Sequence, residues 1–279
     1  MGKTNIEWAS DVWNPLVGCS RVSEGCRHCY AERQAYRAAA MGISRYDGIT
    51  KKVGSEIRWT GKVALVESAL ELPLKWKKPR RIFVNSMSDL FHEAVPDEWI
   101  DRIFSVMAQA PQHTFQILTK RPERMLKWSN RTGTMFSPAW PLRNVWLGVS
   151  VEDQAARFRL DVLRQTPAAV RFASLEPVLE DLGNDLDLTG IDQAIFGGES
   201  GPNARPCDLA WIRRGMARAR AADCAVFVKQ LGARPMADCR ERDEPCEAGP
   251  CFDTMNLRDR KGGDPAEWPE DLRVREYPK

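Results

Sequence analysis

Six short, β-prone apolar runs recur along the 279-residue chain, each followed by a segment with helical spacing. They are RIFVNS, TFQILTK, NVWLGVS, VRFASLEP, QAIFGGES and AVFVKQ. The residues that mark their ends, Ser86, Thr119, Ser150, Ser174, Gly198 and Lys229, stand 24 to 33 residues apart. That distance accommodates a strand, a crossover helix and two loops, so the chain reads as successive βα units. The runs are apolar nearly throughout, as parallel strands covered on both faces are. The intervening PDEWIDRIFSVMAQA has Pro96 near its first turn, Asp97 and Glu98 beside it, and Trp99, Ile103, Phe104 and Met107 on one face. EDQAARFRLDVLRQT and DLAWIRRGMARARAA have the same build. A further strand is expected in DVWNPLV. Six or seven parallel strands predict an α/β fold, a partial or complete (β/α) barrel, with an open doubly wound sheet as the alternative.

In either architecture functional groups gather at the carboxyl ends of the strands. There the chain places Asn85, Ser86, Ser88 and Asp89, then Thr119, Lys120 and Arg121, then Ser150 and Glu152, then Ser174 and Glu176, then Glu199 and Ser200, and finally Lys229 and Gln230. Strand ends also meet water, so polarity at any one of them is no argument; its recurrence at six is.

Cys19, Cys26 and Cys29 fall within eleven residues, just ahead of the helix-like AERQAYRAAAMG, which stops at Gly42. No secretory signal and no apolar run of spanning length is present, which makes the cytoplasm the expected compartment and a membrane partner unexpected. Clustered thiols there are better metal or iron–sulfur ligands than disulfides. The CxxC pair lets two thiolates reach one metal or one cluster, and three thiolates leave one iron of a four-iron cluster open. A structural zinc site, or thiols without a metal, are the alternatives. Residues 43–62 read as a loop or small hairpin, a candidate lid.

From residue 232 the βα rhythm stops. The chain is therefore divided into a barrel-like domain, 1–231, and a loop-rich extension, 232–279. The extension holds a second cysteine group, Cys239, Cys246 and Cys251, a candidate auxiliary cluster or zinc site that Cys207 or Cys224 would complete. Reduced thiols in a polar tail are the simpler reading, and Cys224, entering a strand, reads as a small buried hydrophobe. The formal charge of only +3 argues against a DNA-coating protein. A local basic run remains: LKWKKPRR, with Trp76 among Lys75, Lys77, Lys78, Arg80 and Arg81, followed later by Lys120, Arg121, Arg124 and Lys127. It suits a nucleic-acid backbone with a base stacked on the indole, or a solvated loop.

The string NIEWASDVWNPLVGCSRVSEGCRHCYAE, with FVNSMSDLFHE, ILTKRPERM, WLGVSVE, SLEPVL, GGESGPNARP and FVKQLG, resembles the phage-associated three-cysteine-motif family, similar to radical S-adenosylmethionine proteins. The resemblance runs from about Asn5 to about Gly232. It implies a partial (β/α) barrel carrying a four-iron cluster on Cys19, Cys26 and Cys29. In radical S-adenosylmethionine enzymes the methionine amino and carboxylate groups chelate the open iron, and an electron from the cluster breaks the sulfonium to give a hydrogen-abstracting radical. The six-residue gap between Cys19 and Cys26, and His28 before the third cysteine, depart from the usual pattern. On this reading Asn85, Ser86 and Asp89 lie near the cofactor, and Glu176, Glu199, Lys229 and Lys120 handle the substrate. A bracing ion pair is the alternative for Glu176 and Lys229.

The leading expectation is a radical S-adenosylmethionine-type enzyme acting on DNA, RNA (single-stranded favoured) or nucleotides, with an electron donor as partner. An iron–sulfur nucleic-acid-binding protein or nuclease that uses acids such as Asp89, Glu152 and Glu199 without that cofactor comes second. A zinc-stabilised binding module is third.

Overall fold

The computed structural model describes residues 4, 6–132, 139–238 and 252–278. Seven parallel strands follow one another in strict chain order: β1 (Asp11–Trp13), β2 (Arg81–Val84), β3 (Thr114–Thr119), β4 (Val145–Ser150), β5 (Val170–Leu175), β6 (Gln193–Gly197) and β7 (Ala225–Gln230). A doubly wound sheet reverses its strand order at a switch point, and this order has no reversal. The topology is that of singly wound βα units and is compatible with a partial (β/α) barrel. Among the described residues no pairing joins β7 to β1.

All six apolar runs are strands. The expected first strand is shorter than DVWNPLV: only Asp11–Trp13 joins the sheet, while Leu16–Val17 pairs antiparallel with Ala64–Leu65. Pro15 has no N–H to extend a ladder, so the chain leaves the sheet there. At Gly18, with φ +95°, a Cβ would sit 2.0 Å from the Lys62 carbonyl oxygen. Only glycine passes at that point, directly before Cys19.

The helices are α1 (Tyr30–Ala40), α2 (Asp97–Ala108), α3 (Pro122–Thr132), α4 (Phe158–Gln165) and α5 (Leu209–Ala221). Gly42, at φ +79°, ends α1 in a Schellman motif: its N–H donates to Ala39 O at 2.9 Å, and Ile43 N–H to Ala38 O at 3.0 Å. Helix α4 is shorter than its sequence pattern. Asp153 caps a separate single turn by accepting from Ala156 N at 2.9 Å, and the chain breaks before Phe158.

The chain forms two compact units, residues 1–149 with 161–171, and residues 150–160 with 172–279. In the first, Trp13 on β1 and Phe115 on β3 have ring centroids 5.7 Å apart, and α2 buries Ile100, Ile103, Phe104 and Met107. Residues 50–59 form an antiparallel hairpin of Thr50–Val53 and Glu56–Trp59. In the second, α5 lies against β6, and the described residues after Gly232 belong here. Pro235–Asp238 pairs with Cys207–Asp208. Residues 274–276 run along the outer side of β7, with Val228 N donating to Val274 O and Glu276 N to Val226 O, each at 2.8 Å. That strip satisfies backbone groups an edge strand would otherwise expose. Cys239, Cys246 and Cys251 lie outside the described residues. No described helix is long and apolar enough to cross a membrane.

Candidate three-cysteine site

Cys19 follows β1 by way of Leu16–Val17 and Gly18, Cys26 closes a single turn over Glu24–Cys26, and Cys29 immediately precedes α1. All three thiols are partly buried, and Cys19 and Cys29 pack against the cluster of Val17, Ala31, Ala35 and Met87. Burial pushes the Cys19 thiol up to about 12, with Asp89 adding to the rise, Arg121 opposing it and Cys29 raising it further. Cys29 is raised as well, by burial first, with the Glu32 and Ala31 amides at the start of α1 opposing and Cys26 adding to the rise. The thiols therefore feel one another. Two also have a local polar contact: Cys19 Sγ donates to Ser20 O at 3.4 Å, and Cys26 Sγ lies 3.8 Å from Ser23 Oγ. Among the described residues no three Cys, His, Asp or Glu side chains already converge as a metal site.

Arg121, the first residue after Lys120 at the end of β3, is the hub of the surroundings. Its side chain is 5% exposed. Nη1 donates to Asp89 Oδ2 at 3.0 Å and faces Cys19 Sγ at 3.8 Å. Nη2 donates to Ser20 O and Ser20 Oγ at 3.2 and 2.8 Å, and Nε to both Glu93 oxygens. His92 Nδ1 accepts from Ala94 N, which leaves Nε2–H to donate to Ser20 Oγ at 2.9 Å. Burial and the Arg121 charge hold His92 below its ordinary range, so it is neutral at pH 7 and its 3.8 Å approach to Glu93 is not an ion pair.

The residues expected near a cofactor are together here. Asp89 accepts from Thr119 Oγ1, Phe91 N, Lys120 N and Arg121 Nη1, which fills a carboxylate's capacity and ties the ends of β2 and β3 to each other. Asn85 takes φ +63° just past β2 and is 3% exposed. Its Oδ1 accepts from Leu16 N at 3.3 Å, while Nδ2 is buried without a hydrogen-bond partner among the described residues. Ser86 Oγ donates to Asn14 Oδ1, and Ser86 O accepts from Tyr30 OH at 2.8 Å. Lys120 sits beside Arg121 and donates its backbone N–H to Asp89 at 3.1 Å.

The hairpin is fastened to the cysteine loop. Buried Glu32 on α1 takes two bonds from Arg21 Nε and a 2.6 Å bond from Nη2, and it accepts from Trp59 N at 3.0 Å. Arg21 also donates to Ile57 O at 3.3 Å.

Glu176, Glu199 and Lys229 lie in the second unit. Lys229 Nζ donates to Glu176 Oε1 at 2.5 Å, both side chains 15% exposed. The pair spans from the end of β5 to β7 across β6, where Gly197 leaves room; a Cβ there would meet Glu176 Cγ and Cδ at 3.3 Å. Glu199 is 8% exposed and binds Arg205 through Arg205 N, Nε and Nη2.

The basic run divides. LKWKKPRR precedes β2, whereas Lys120 and Arg121 follow β3, so in the first unit they lie at opposite ends of parallel strands. The Arg80 guanidinium stacks on the Trp76 ring at 4.5 Å and pairs with Asp11. Arg124 binds the His92 and Val95 carbonyls and Asp97. Lys75, Lys77 and Lys78 are exposed.

Nothing in the sequence singles out Glu32, Arg21, His92 or Glu93, and it offers Arg121 only as a strand-end polar residue and as part of a basic run. Their signal is chain position next to a strand end, which does not tell a buried hub from a solvated side chain.

A parallel α/β chain whose first βα loop carries three thiols is the class that fold and site define. Over residues 3–259 the chain matches the family described as a protein of unknown function, DUF5131, and it belongs to that family. No curated protein and no solved structure matches it.

Proposed function

We propose that this chain is an iron–sulfur protein of radical S-adenosylmethionine type acting on nucleic acid or nucleotides, with Cys19, Cys26 and Cys29 as the ligands of a four-iron cluster. The observation that carries the reading is three partly buried thiols on one loop past β1, the first of them 3.8 Å from a buried guanidinium. The donor set fits such a group. The thiols are partly buried in apolar packing, and the α1 amides and Arg121 are the cationic and dipolar partners that ligating thiolates need. Bound there, the cluster supplies a low-potential electron and, on the iron that three cysteines leave open, a seat for the amino and carboxylate groups of S-adenosylmethionine.

The chain's own residues have separable tasks. The orphaned Asn85 Nδ2 is a free donor for a carboxylate or carbonyl oxygen, Ser86 orders the adjoining backbone, and Asp89 holds the strand ends in place. Lys120, and in the second unit Glu176, Glu199 and Lys229, are the proposed substrate-handling groups, with Lys229 Nζ donating to Glu176 Oε1. The nucleic-acid substrate rests on the resemblance to phage-associated proteins and on the exposed lysines. A metal-dependent nuclease is the weaker reading, because each acid it would use is bound by an arginine: Asp89 by Arg121, Glu152 by Arg159, Glu199 by Arg205.

Anaerobic purification with iron, sulfide and zinc analysis tests this. The expected result is a brown protein with about four iron per chain, lost in Cys19→Ala, Cys26→Ala and Cys29→Ala, that cleaves S-adenosylmethionine once reduced by a donor. Zinc without iron selects the zinc-stabilised module. Iron without cofactor binding or cleavage selects an iron–sulfur protein independent of S-adenosylmethionine.

A further inference from the structure

We propose that Arg121 is a positioning residue that ties the cysteine loop to the end of β3 and raises the reduction potential of the group bound by Cys19, with Asp89 and Glu93 acting in the opposite sense. The inference rests on the cluster reading above and concerns how this chain tunes that site.

The geometry is unusually specific. One nitrogen, Arg121 Nη1, lies 3.0 Å from Asp89 Oδ2 and 3.8 Å from Cys19 Sγ, so the guanidinium touches both a buried carboxylate and the first cysteine sulfur. The other donors are committed. Nη2 holds Ser20 O and Ser20 Oγ, the residue next to Cys19, and Nε holds Glu93. Thr119 Oγ1 accepts from Arg121 N at 2.9 Å and donates to Asp89, which fixes the backbone from which the side chain springs.

Three thiolates concentrate negative charge in a partly buried place, and reduction adds one more electron to it. A fixed positive charge 3.8 Å from one sulfur favours the reduced state, and it is not screened as a surface charge would be. Asp89, bound to the same nitrogen and with a side chain only 9% exposed, carries the opposite charge and disfavours reduction. Glu93 does the same more weakly, because its side chain is 66% exposed. The two buried members of one ion pair thus have opposite effects on the electron, although each holds the other in place.

That opposition separates tuning from bracing. In anaerobically purified full-length protein, Arg121→Gln should shift the one-electron reduction equilibrium about tenfold towards the oxidised state, about 59 mV lower in potential. Asp89→Asn should shift it the other way, Glu93→Gln should follow Asp89→Asn with a smaller change, and Arg121→Lys, which keeps the charge, should stay near wild type. The readout is a potentiometric titration followed in the visible charge-transfer band, with iron content measured for each variant. Shifts of the same sign in Arg121→Gln and Asp89→Asn, or no shift in any variant at full iron content, overturn the proposal and leave the cluster intact. If the two buried variants do not fold, the sign for exposed Glu93→Gln decides. A wild-type protein without iron overturns both the cluster and this role.

Discussion

At the scale of single residues the sharpest contrast is between Glu176–Lys229 and its surroundings. The pair is 15% exposed on both sides, so neither charge is well solvated. Lys229→Met alone leaves a desolvated carboxylate and should cost about 3 kcal/mol in urea unfolding. The double variant Glu176→Leu/Lys229→Met removes both charges and should return to within about 1 kcal/mol of wild type. If the pair also serves the chemistry, the double variant is stable and inactive; a stable and fully active one reduces the pair to a brace. Orphaned Asn85 Nδ2 and the crowded carboxylate of Asp89 show the same division between free and committed donors and acceptors. Sequence position alone made them equivalent candidates.

At the scale of elements, α5 approaches β6 so closely at Gly215 that a Cβ there would lie 2.4 Å from the Phe196 ring. Alanine in a helix interior is favoured over glycine by about 1 kcal/mol, but forcing a methyl group into a packed interface costs about 1–3 kcal/mol. At 2.4 Å the packing cost lies towards the upper end of that range and wins, and Gly215→Ala should lower stability by up to about 2 kcal/mol, measured as the urea midpoint at unchanged m-value. A stabilised variant would mean that Phe196 moves aside freely. The same reasoning applies to residues 43–62, read from sequence as a lid. Glu32, Arg21 and Trp59 bind the hairpin to α1, so it is fastened to the cysteine loop by buried hydrogen bonds.

At the scale of the whole molecule, the C-terminal residues complete the second unit, and carboxylates help to hold them. Arg213 on α5 binds Asp271, and that hydrogen bond holds the Asp271 carboxyl below its ordinary range. Asp259 is likewise lowered, first by the Lys261 amide and also by that of Gly263. For a carboxyl whose folded value is depressed, the stability is present above the unfolded value and is lost as pH falls through the folded one. The urea midpoint should therefore drop as pH goes from about 5 to about 3. Asp271→Asn, less stable than wild type at pH 5 by under about 1 kcal/mol because the pair is half exposed, should approach it as the pH falls from about 5 to about 3. A gap that stays constant with pH would rule the linkage out.

The apolar runs and their spacing pointed by themselves to six parallel strands and left a seventh to be expected near DVWNPLV, because buried strands and amphipathic helices are local consequences of hydrophobic periodicity. Six strands fall where the runs are, and Gly42 ends α1 as its position in the chain says. Cys19, Cys26 and Cys29 stood out for the same local reason, their closeness in sequence. Tertiary structure decided the rest. It ended β1 at Trp13, assigned the strand order that excludes a doubly wound sheet, and put Lys75–Arg81 at the far end of the strands from Lys120 and Arg121. It also selected Arg121 and Glu32 from among many charged residues as the ones buried against the cysteine loop. Those choices depend on contacts between segments up to about a hundred residues apart, such as Arg121 with Cys19. Whether a charge ends in water or against a sulfur is set by what the rest of the chain brings to it, and no local pattern encodes that.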